Sequence, residues 1–338
     1  MNDRVVCFGE LLLRLAAPGK ETLLQSARLN ATFAGAEANV AVALALWGHA
    51  ASVLTVLPDT ALGSVALAEL RKHGVDVSRI QRRPGRLGLY FLEHGALQRA
   101  PEVLYDRAQS AFAATPPDAY DWPGELAGVR CLHISGVTPA VGASAAASAV
   151  RGMQNAAGRG VLTSFDCNHR SKLWSVWQGD ARAVLSEMVA STEILFATER
   201  DIAALLGLSF DSVPPDERAR EAAKQAFARF PRLQRMYGTV RVERSVDEHT
   251  MSAELCMRDG HWSTPTHELR PIVDRIGTGD AFAAGVLHGI LKGMPPQATL
   301  DFGLASACLK HSIPGDFNLV RVDQIEALIA GGGFSVRR

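Results

Sequence analysis

Between Asp274 and Gly285 the chain reads Asp-Arg-Ile-Gly-Thr-Gly-Asp-Ala-Phe-Ala-Ala-Gly, a Gly-x-Gly turn running into an apolar helix over about Asp280–Leu291. Glycines let backbone amides converge without a Cβ in the way, and a helix start adds partial positive charge. The turn Ile276, Gly277, Thr278 and Gly279 therefore reads as an anion hole. A carboxylate at Asp280 opposes an anionic ligand unless it has a task of its own. As a general base it takes a hydroxyl proton while the amides hold a transferring phosphoryl group. The motif alone fits equally well an ordinary acid at a helix start. Two further side chains are suited to an anion: Arg107 and Arg170 carry planar, fork-shaped cations that match a carboxylate. Solvated surface arginine is the competing reading for each. Tyr90 and Tyr105 fit either packing or ligand contact, and Trp174 fits packing beside the site.

These groups need elements to bring them together. A strand at Val5–Phe8 ends in Gly9-Glu10, and Leu11–Leu15 is expected to continue it. Ala36–Trp47 and Leu62–His73 read as helices with Gly48 and Gly74 as stops, and Ala51–Leu57 reads as a buried strand. Apolar runs follow at Cys131–Ile134, Val161–Phe165 and Ile194–Phe196, with helical segments at Ala143–Ala157 and Gly179–Val189. Strands alternating with helices of this length predict βαβ units and a mostly parallel sheet covered on both faces. Asp166–Arg170 then lies at the carboxyl edge of the sheet, where open α/β sheets bind ligands. Stretches around Pro18–Phe33 and Leu87–Tyr105 break the alternation and are expected to form antiparallel strands of an accessory sheet or lid. The tail Gly331–Gly333 is expected to fray.

Composition excludes several classes. The length of 338 residues suits one large α/β domain or two smaller ones, with a sizeable core. With 47% hydrophobic and 21% charged residues the chain is not largely disordered. Lys+Arg and Asp+Glu are both 35, so nothing global draws it to nucleic acid or an anionic membrane. The five cysteines are scattered and form no CxxC pair, which argues against zinc or dithiol chemistry and suits a reducing cytoplasm. The N-terminus, with an acid before a short apolar run, does not read as a signal peptide. Ala38–Leu57 is interrupted by Asn39, Gly48, His49, Ser52 and Thr55, and reads as helix, turn and strand in place of a membrane span. His133, His169, His288 and His311 show no metal-ligand spacing.

The Asp274 segment resembles the second signature of the ribokinase (PfkB) carbohydrate kinase family, usually D-T-x-G-A-G-D, with Arg275 in place of Thr and Thr278 in place of Ala. Ala34-Gly35-Ala36-Glu37-Ala38-Asn39 is similar to the first signature, and its acid-bearing form resembles the 2-keto-3-deoxygluconate kinase branch. Asp166-Cys167-Asn168-His169-Arg170-Ser171-Lys172-Leu173-Trp174 resembles that branch's D-x-N-x-R-x-x-L-W. Tyr105-Asp106-Arg107 and Leu87-Gly88-Leu89-Tyr90 are similar to its lid segments. The resemblance runs in order from about Val5 to Leu328.

That resemblance implies a ribokinase-like three-layer α/β sandwich with a mostly parallel central sheet and a small β-sheet lid. It implies one domain over residues 1–338, with lid segments at about 16–34 and 86–110. The implied activity is ATP-dependent phosphorylation of 2-keto-3-deoxy-D-gluconate at O6, with Asp280 catalytic and Ile276–Gly279 as anion hole. Gly35, Asn39, Tyr90, Tyr105, Arg107 and Arg170 would bind the sugar acid, and Thr198, Gly277 and Gly279 would bind ATP. Asp201 would hold Mg²⁺ through water, because Thr198–Asp201 falls where the family carries N-x-x-E. An exposed first helical turn also favours acids there. Carbonyls near Gly315-Asp316 would take a monovalent cation such as K⁺. The resemblance further implies a homo-oligomer, dimeric through the lid, in the cytoplasm.

One departure stands out. The family usually shows a strand followed by K-x-G-x-x-G, gripping the nucleotide phosphates. Here Arg241-Val242-Glu243-Arg244-Ser245-Val246-Asp247-Glu248-His249 has no such glycine pair, and a polar turn is expected to replace the loop. A fructokinase or other neutral-sugar kinase is the nearest alternative. A non-catalytic sugar or nucleotide sensor is a further one, opposed by the intact Gly-x-Gly-Asp. A Rossmann dehydrogenase lacks support because no G-x-G-x-x-G follows the first strand.

Overall fold

A computed structural model describes residues 4–332. Gly333, in the tail expected to fray, lies outside the described residues. In spatial order the large sheet runs Gly260–Ser263, Glu248–Met257, Arg235–Ser245, Ile194–Phe196, Leu162–Asp166, Val129–Ser135, Arg4–Phe8, Ala51–Pro58 and Ile80–Arg83, with His267–Leu269 also pairing to Glu248–Met257. Pairing is parallel from Arg235–Ser245 through Ile80–Arg83 and antiparallel at the other edge. The central strands are mostly buried because helices cover both faces; Ala51–Pro58 is buried at every position. Val5 and Cys7 face a core shared with the helices Ala36–Leu46, Thr278–Lys292 and Pro296–Lys310. Val6 and Phe8 face the other core, built on Ala143–Gly158, Ala181–Ala190, Glu199–Leu206 and Arg218–Arg229. The helices Thr278–Lys292 and Pro296–Lys310 approach so closely that a Cβ on Gly285 would strike the Cα of Gly303. This is the three-layer α/β sandwich expected, and no helix among the described residues is long and apolar enough to cross a membrane.

Polar side chains end the helices where the sequence suggests. Thr60 caps Ala61–Lys72 by accepting from the Gly63 amide, and Asp180 caps Ala181–Ala190 by accepting from Ala183. One expectation is corrected. The first strand does not continue through Leu11–Leu15. It ends at Phe8, and the Glu37 carboxylate fills the space a Gly9 Cβ would need. The chain then leaves the large sheet, and Leu12–Ala16 enters a separate four-stranded sheet, in the order Asn30–Ala34, Leu12–Ala16, Gly88–Glu93, Glu102–Asp106. Between Ala16 and Asn30 there are only turns and bends. The polar turn expected within Arg241–His249 is present at Val246-Asp247, where strand Arg235–Ser245 reverses into Glu248–Met257.

Arg14 ties the small sheet to the rest. It sits mid-strand, 3% exposed, and its guanidinium donates to Asp274 Oδ2 and Asp316 Oδ1, both at 2.7 Å. Tyr90, on the neighbouring strand, donates its hydroxyl to the Asp316 carboxylate at 2.7 Å. A buried carboxylate left without its cation is strongly unfavourable. Arg14→Met is therefore expected to lower stability by about 3–5 kcal/mol in equilibrium urea unfolding. A loss below about 1 kcal/mol would mean that the cluster does not hold the two sheets together.

Candidate active site

The turn of the Gly-x-Gly motif is built by Asp274. Its Oδ1 accepts from the Ile276 amide and its Oδ2 from the Gly315 amide, both at 3.0 Å. Ile276 is thus engaged within the protein, which narrows the expected anion hole to Gly277, Thr278 and Gly279. These three amides have no acceptor among the described residues. The two glycines serve different ends. Gly277 has φ 77°, and a Cβ there would strike the Asp316 carbonyl, so the fold itself requires glycine. Gly279 is the second residue of helix Thr278–Lys292, and a Cβ on it would meet open space. Nothing inside the protein calls for glycine at 279, and its bare backbone leaves room for a ligand to approach the amides.

Asp280 faces the same opening. Its Oδ2 accepts from Asn39 Nδ2 at 2.6 Å, and Asn39 Oδ1 in turn accepts from the Gly35 amide at 3.3 Å. Asn39 lies in the first turn of helix Ala36–Leu46, so two helix N-termini converge on this carboxylate. Gly35 is needed here because a Cβ would strike the Glu10 carbonyl. Burial raises the Asp280 pKa to about 6, with the Asn39 hydrogen bond opposing and the Asp316 charge adding to the rise. Two other carboxyls are raised in the same region. Burial brings Glu37 to about 7, against hydrogen bonds from Thr138 Oγ1 and the Ser135 amide. Burial and then the charges of Asp280 and Asp201 bring Asp166 to about 8. Such a group of perturbed acids at the carboxyl edge of a parallel sheet marks a functional site.

The expected sugar-acid contacts are placed unequally. Arg170 is exposed at the end of the Leu162–Asp166 strand and acts electrostatically on both Asp280 and Asp166. Arg107 is buried and paired with Glu10, at 2.8 Å from Nε and 2.6 Å from Nη2, while Ser110 donates to the other Glu10 oxygen. Only Arg107 Nη1 is left without a partner. Tyr105 stands across from Tyr90, and Arg107 lies over its ring at 5.7 Å. The Tyr90 hydroxyl is held by Asp316, so it is committed within the protein. Ile276 packs against the small-sheet core with Tyr90 and Tyr105, joining the turn to that sheet. Trp174 is buried, as expected.

Thr198 and Asp201 form a capping box on helix Glu199–Leu206. Asp201 Oδ2 accepts from the Thr198 amide at 2.8 Å and hydroxyl at 2.7 Å, so one of its oxygens is committed to the helix end. Several residues of this region escaped sequence reasoning. Arg14 was legible as a lone cation in the apolar run Leu11–Ala17, and Glu10 as an acid at the end of a buried strand. Lys310, wholly buried beside Asp274, Asp316 and Asp280, ends an apolar helix and gave no signal. Three of the four histidines without metal-ligand spacing are buried against polar partners. His133 meets Ser164 Oγ, His288 meets His49 and His311 meets His249, each at 2.9 Å, and His169 is exposed. An open groove of about 640 Å³ elsewhere, lined by Arg182, Leu205, Gln225 and Arg229, contains none of these site residues.

Comparison with known proteins agrees with this geometry. The pfkB family carbohydrate kinase model matches residues 2–318. A 2-dehydro-3-deoxygalactonokinase of Haloferax volcanii is 35% identical over 341 residues, covering 100% of each chain. A 2-dehydro-3-deoxygluconokinase of Bacillus subtilis is 27% identical over 333 residues, covering 94% of this chain and 92% of that one. The crystal structure of a 2-dehydro-3-deoxygluconokinase from Thermotoga maritima, 36% identical, has a TM-score of 0.91 and covers 97% of this chain and 99% of that one. With the Gly-x-Gly-Asp turn, the Asn39–Asp280 pair and the fold all in place, the chain belongs to the pfkB family of carbohydrate kinases.

Proposed function

We propose that the chain transfers the γ-phosphoryl group of ATP to the O6 hydroxyl of 2-keto-3-deoxy-D-gluconate. The observation that carries this reading is the Asp280 carboxylate, held by Asn39 beside the unpaired amides of Gly277–Gly279, with the exposed Arg170 cation acting on it. Asp280 takes the hydroxyl proton as O6 attacks, and the amides stabilise charge on the γ-phosphoryl oxygens. The anion hole belongs to the phosphoryl group, so the acceptor's carboxylate needs other cations. Arg170 supplies one, and Arg107 offers its free Nη1 from the small sheet, with Glu10 fixing its position. Closure of the small sheet over the cleft keeps water from the transferring group.

A neutral hexose would leave Arg170 without an anion, which disfavours the fructokinase alternative. The C4-epimeric acid, 2-keto-3-deoxy-D-galactonate, is a second reading, favoured by the full-length similarity to the Haloferax volcanii enzyme. Gly35 and Tyr105 line the sugar side in either case, and Thr198 the ATP side. Asp201, through its free oxygen, and the nearby Asp166 fit the Mg²⁺ that accompanies ATP, since their mutual repulsion is relieved by a cation. When bound, the ion neutralises phosphate charge. The acids Asp274 and Asp316 already have two buried cations of the chain beside them, Arg14 and Lys310, so no step is assigned to K⁺. Assembly through the small sheet belongs to the proposal, supported by the exposed Leu104 on its outer strand. So does a cytoplasmic location, supported by five unpaired cysteines.

Two tests follow. Asp280→Asn is expected to lower kcat by about 10²–10⁴-fold with ATP binding little changed. In the wild type, kcat/KM should fall as pH drops through about 6, because protonation of the raised carboxyl removes the base. A folded Asp280→Asn variant with near wild-type turnover would remove Asp280 from the mechanism. The second test concerns the acceptor. Arg170→Ala should lower kcat/KM for the keto acid by about 10–150-fold, the worth of one charge-assisted hydrogen bond, while a neutral hexose changes little. If fructose outcompetes both keto acids in a coupled ADP-release assay of the wild type, the sugar-acid reading fails.

A further inference from the structure

Strand Arg235–Ser245 pairs with Ile194–Phe196 only over its first three residues, and beyond Tyr237 its ladder is with Glu248–Met257. Arg241 stands opposite Met251 and Glu243 opposite His249, and directly opposed residues share one face of a sheet. That face is turned toward the last helices of the chain. Met251 is buried in their core, and His249 bonds to His311. Arg241 is thereby brought to the start of helix Thr278–Lys292, where its Nη2 donates to Thr278 Oγ1 at 3.1 Å.

The guanidinium is unusual in what it lacks. Its Nε is buried with no hydrogen-bond partner, and no ion pair is formed by Arg241 among the described residues. The acid two residues on, Glu243, is bound to Arg275 at 2.7 Å. Burial and the like charge of Arg275 both act against the cation, and the adjacent imidazoles of His249 and His311 are held low, chiefly by burial. A half-buried arginine that forms no ion pair, near a Glu243 already bound to Arg275 and held by a hydroxyl beside three unpaired amides, is completed by an anion. The places where the sequence departs from the family signatures also meet here. Thr278 touches Arg241, Arg275 touches Glu243, and both strand residues lie where the glycine-rich loop is missing.

We propose that Arg241 binds phosphate oxygens of the nucleotide, opposite the amides of Gly277–Gly279, with Thr278 orienting its guanidinium. This rests on the phosphoryl-transfer reading of the Asp280 site but not on the identity of the sugar acid. The test is calorimetric binding of the Mg²⁺ complex of AMP-PNP, and of adenosine, with no acceptor present, so a wrong acceptor leaves the readout untouched. Arg241→Met should weaken AMP-PNP by about 10–150-fold and adenosine by less than about two-fold. Arg241→Lys, which keeps the charge, should recover part of the loss. Should the Met variant fail to fold, Arg241→Gln, which keeps a donor to Thr278, should show the same phosphate-dependent loss. AMP-PNP bound as tightly as by the wild type, or adenosine weakened as much as AMP-PNP, would overturn the assignment and leave Arg241 a structural residue.

Discussion

A guanidinium removed from water must have anions around it, and Arg14 has two. Asp274 and Asp316 meet it in a cluster that solvent barely reaches. Much of the molecule's arrangement depends on that requirement. Arg14 belongs to the small sheet, Asp274 opens the Gly-x-Gly turn, and Asp316 lies in the loop after helix Pro296–Lys310. Satisfying one cation therefore fixes the small sheet against the turn that opens helix Thr278–Lys292 and the loop that follows helix Pro296–Lys310. Asp274 also takes the Ile276 and Gly315 amides, so the carboxylate that answers Arg14 shapes the turn. Asp316 also takes the Tyr90 hydroxyl, so the tyrosine ring is aimed by the same cluster.

The cleft is acidic for a physical reason. Two helix N-termini point into it and favour negative charge, while burial opposes ionisation. Asp280, Glu37 and Asp166 are left near the middle of the pH scale, where a carboxyl exchanges a proton readily. The Asn39 hydrogen bond at 2.6 Å and the charges of Arg170 and Lys310 oppose the rise at Asp280.

The arginines show how context divides one residue type. Arg14 is wholly given to structure. Arg107 is nearly so, because Glu10 and Ser110 hold its place and leave one nitrogen free. Arg170 is exposed, and Arg241 is half-buried with no ion pair among the described residues. Unmet hydrogen-bonding capacity, more than charge alone, separates the cations left open to a ligand from those that hold the fold.

The sequence by itself determined the layers and the Gly-x-Gly-Asp turn. Apolar runs such as Ala51–Leu57 and helix stops such as Gly48 act locally, and Gly277-Thr278-Gly279-Asp280 is contiguous, so its backbone geometry and chemistry travel together. Glycine at 277 and at 279 look alike in sequence. Only the packed structure tells the one required by the Asp316 carbonyl from the one left open to a ligand. Leu12–Ala16 read as a continuing strand because a strand looks the same in either sheet; pairing with Asn30–Ala34 and with Gly88–Glu93, far along the chain, places it in the small sheet. The pairings Arg14–Asp316, Tyr90–Asp316, Asn39–Asp280 and Arg241–Thr278 join residues far apart along the chain. No spacing rule reaches across such distances. A buried charge finds its counter-charge only once the core has closed and water can no longer serve in its place.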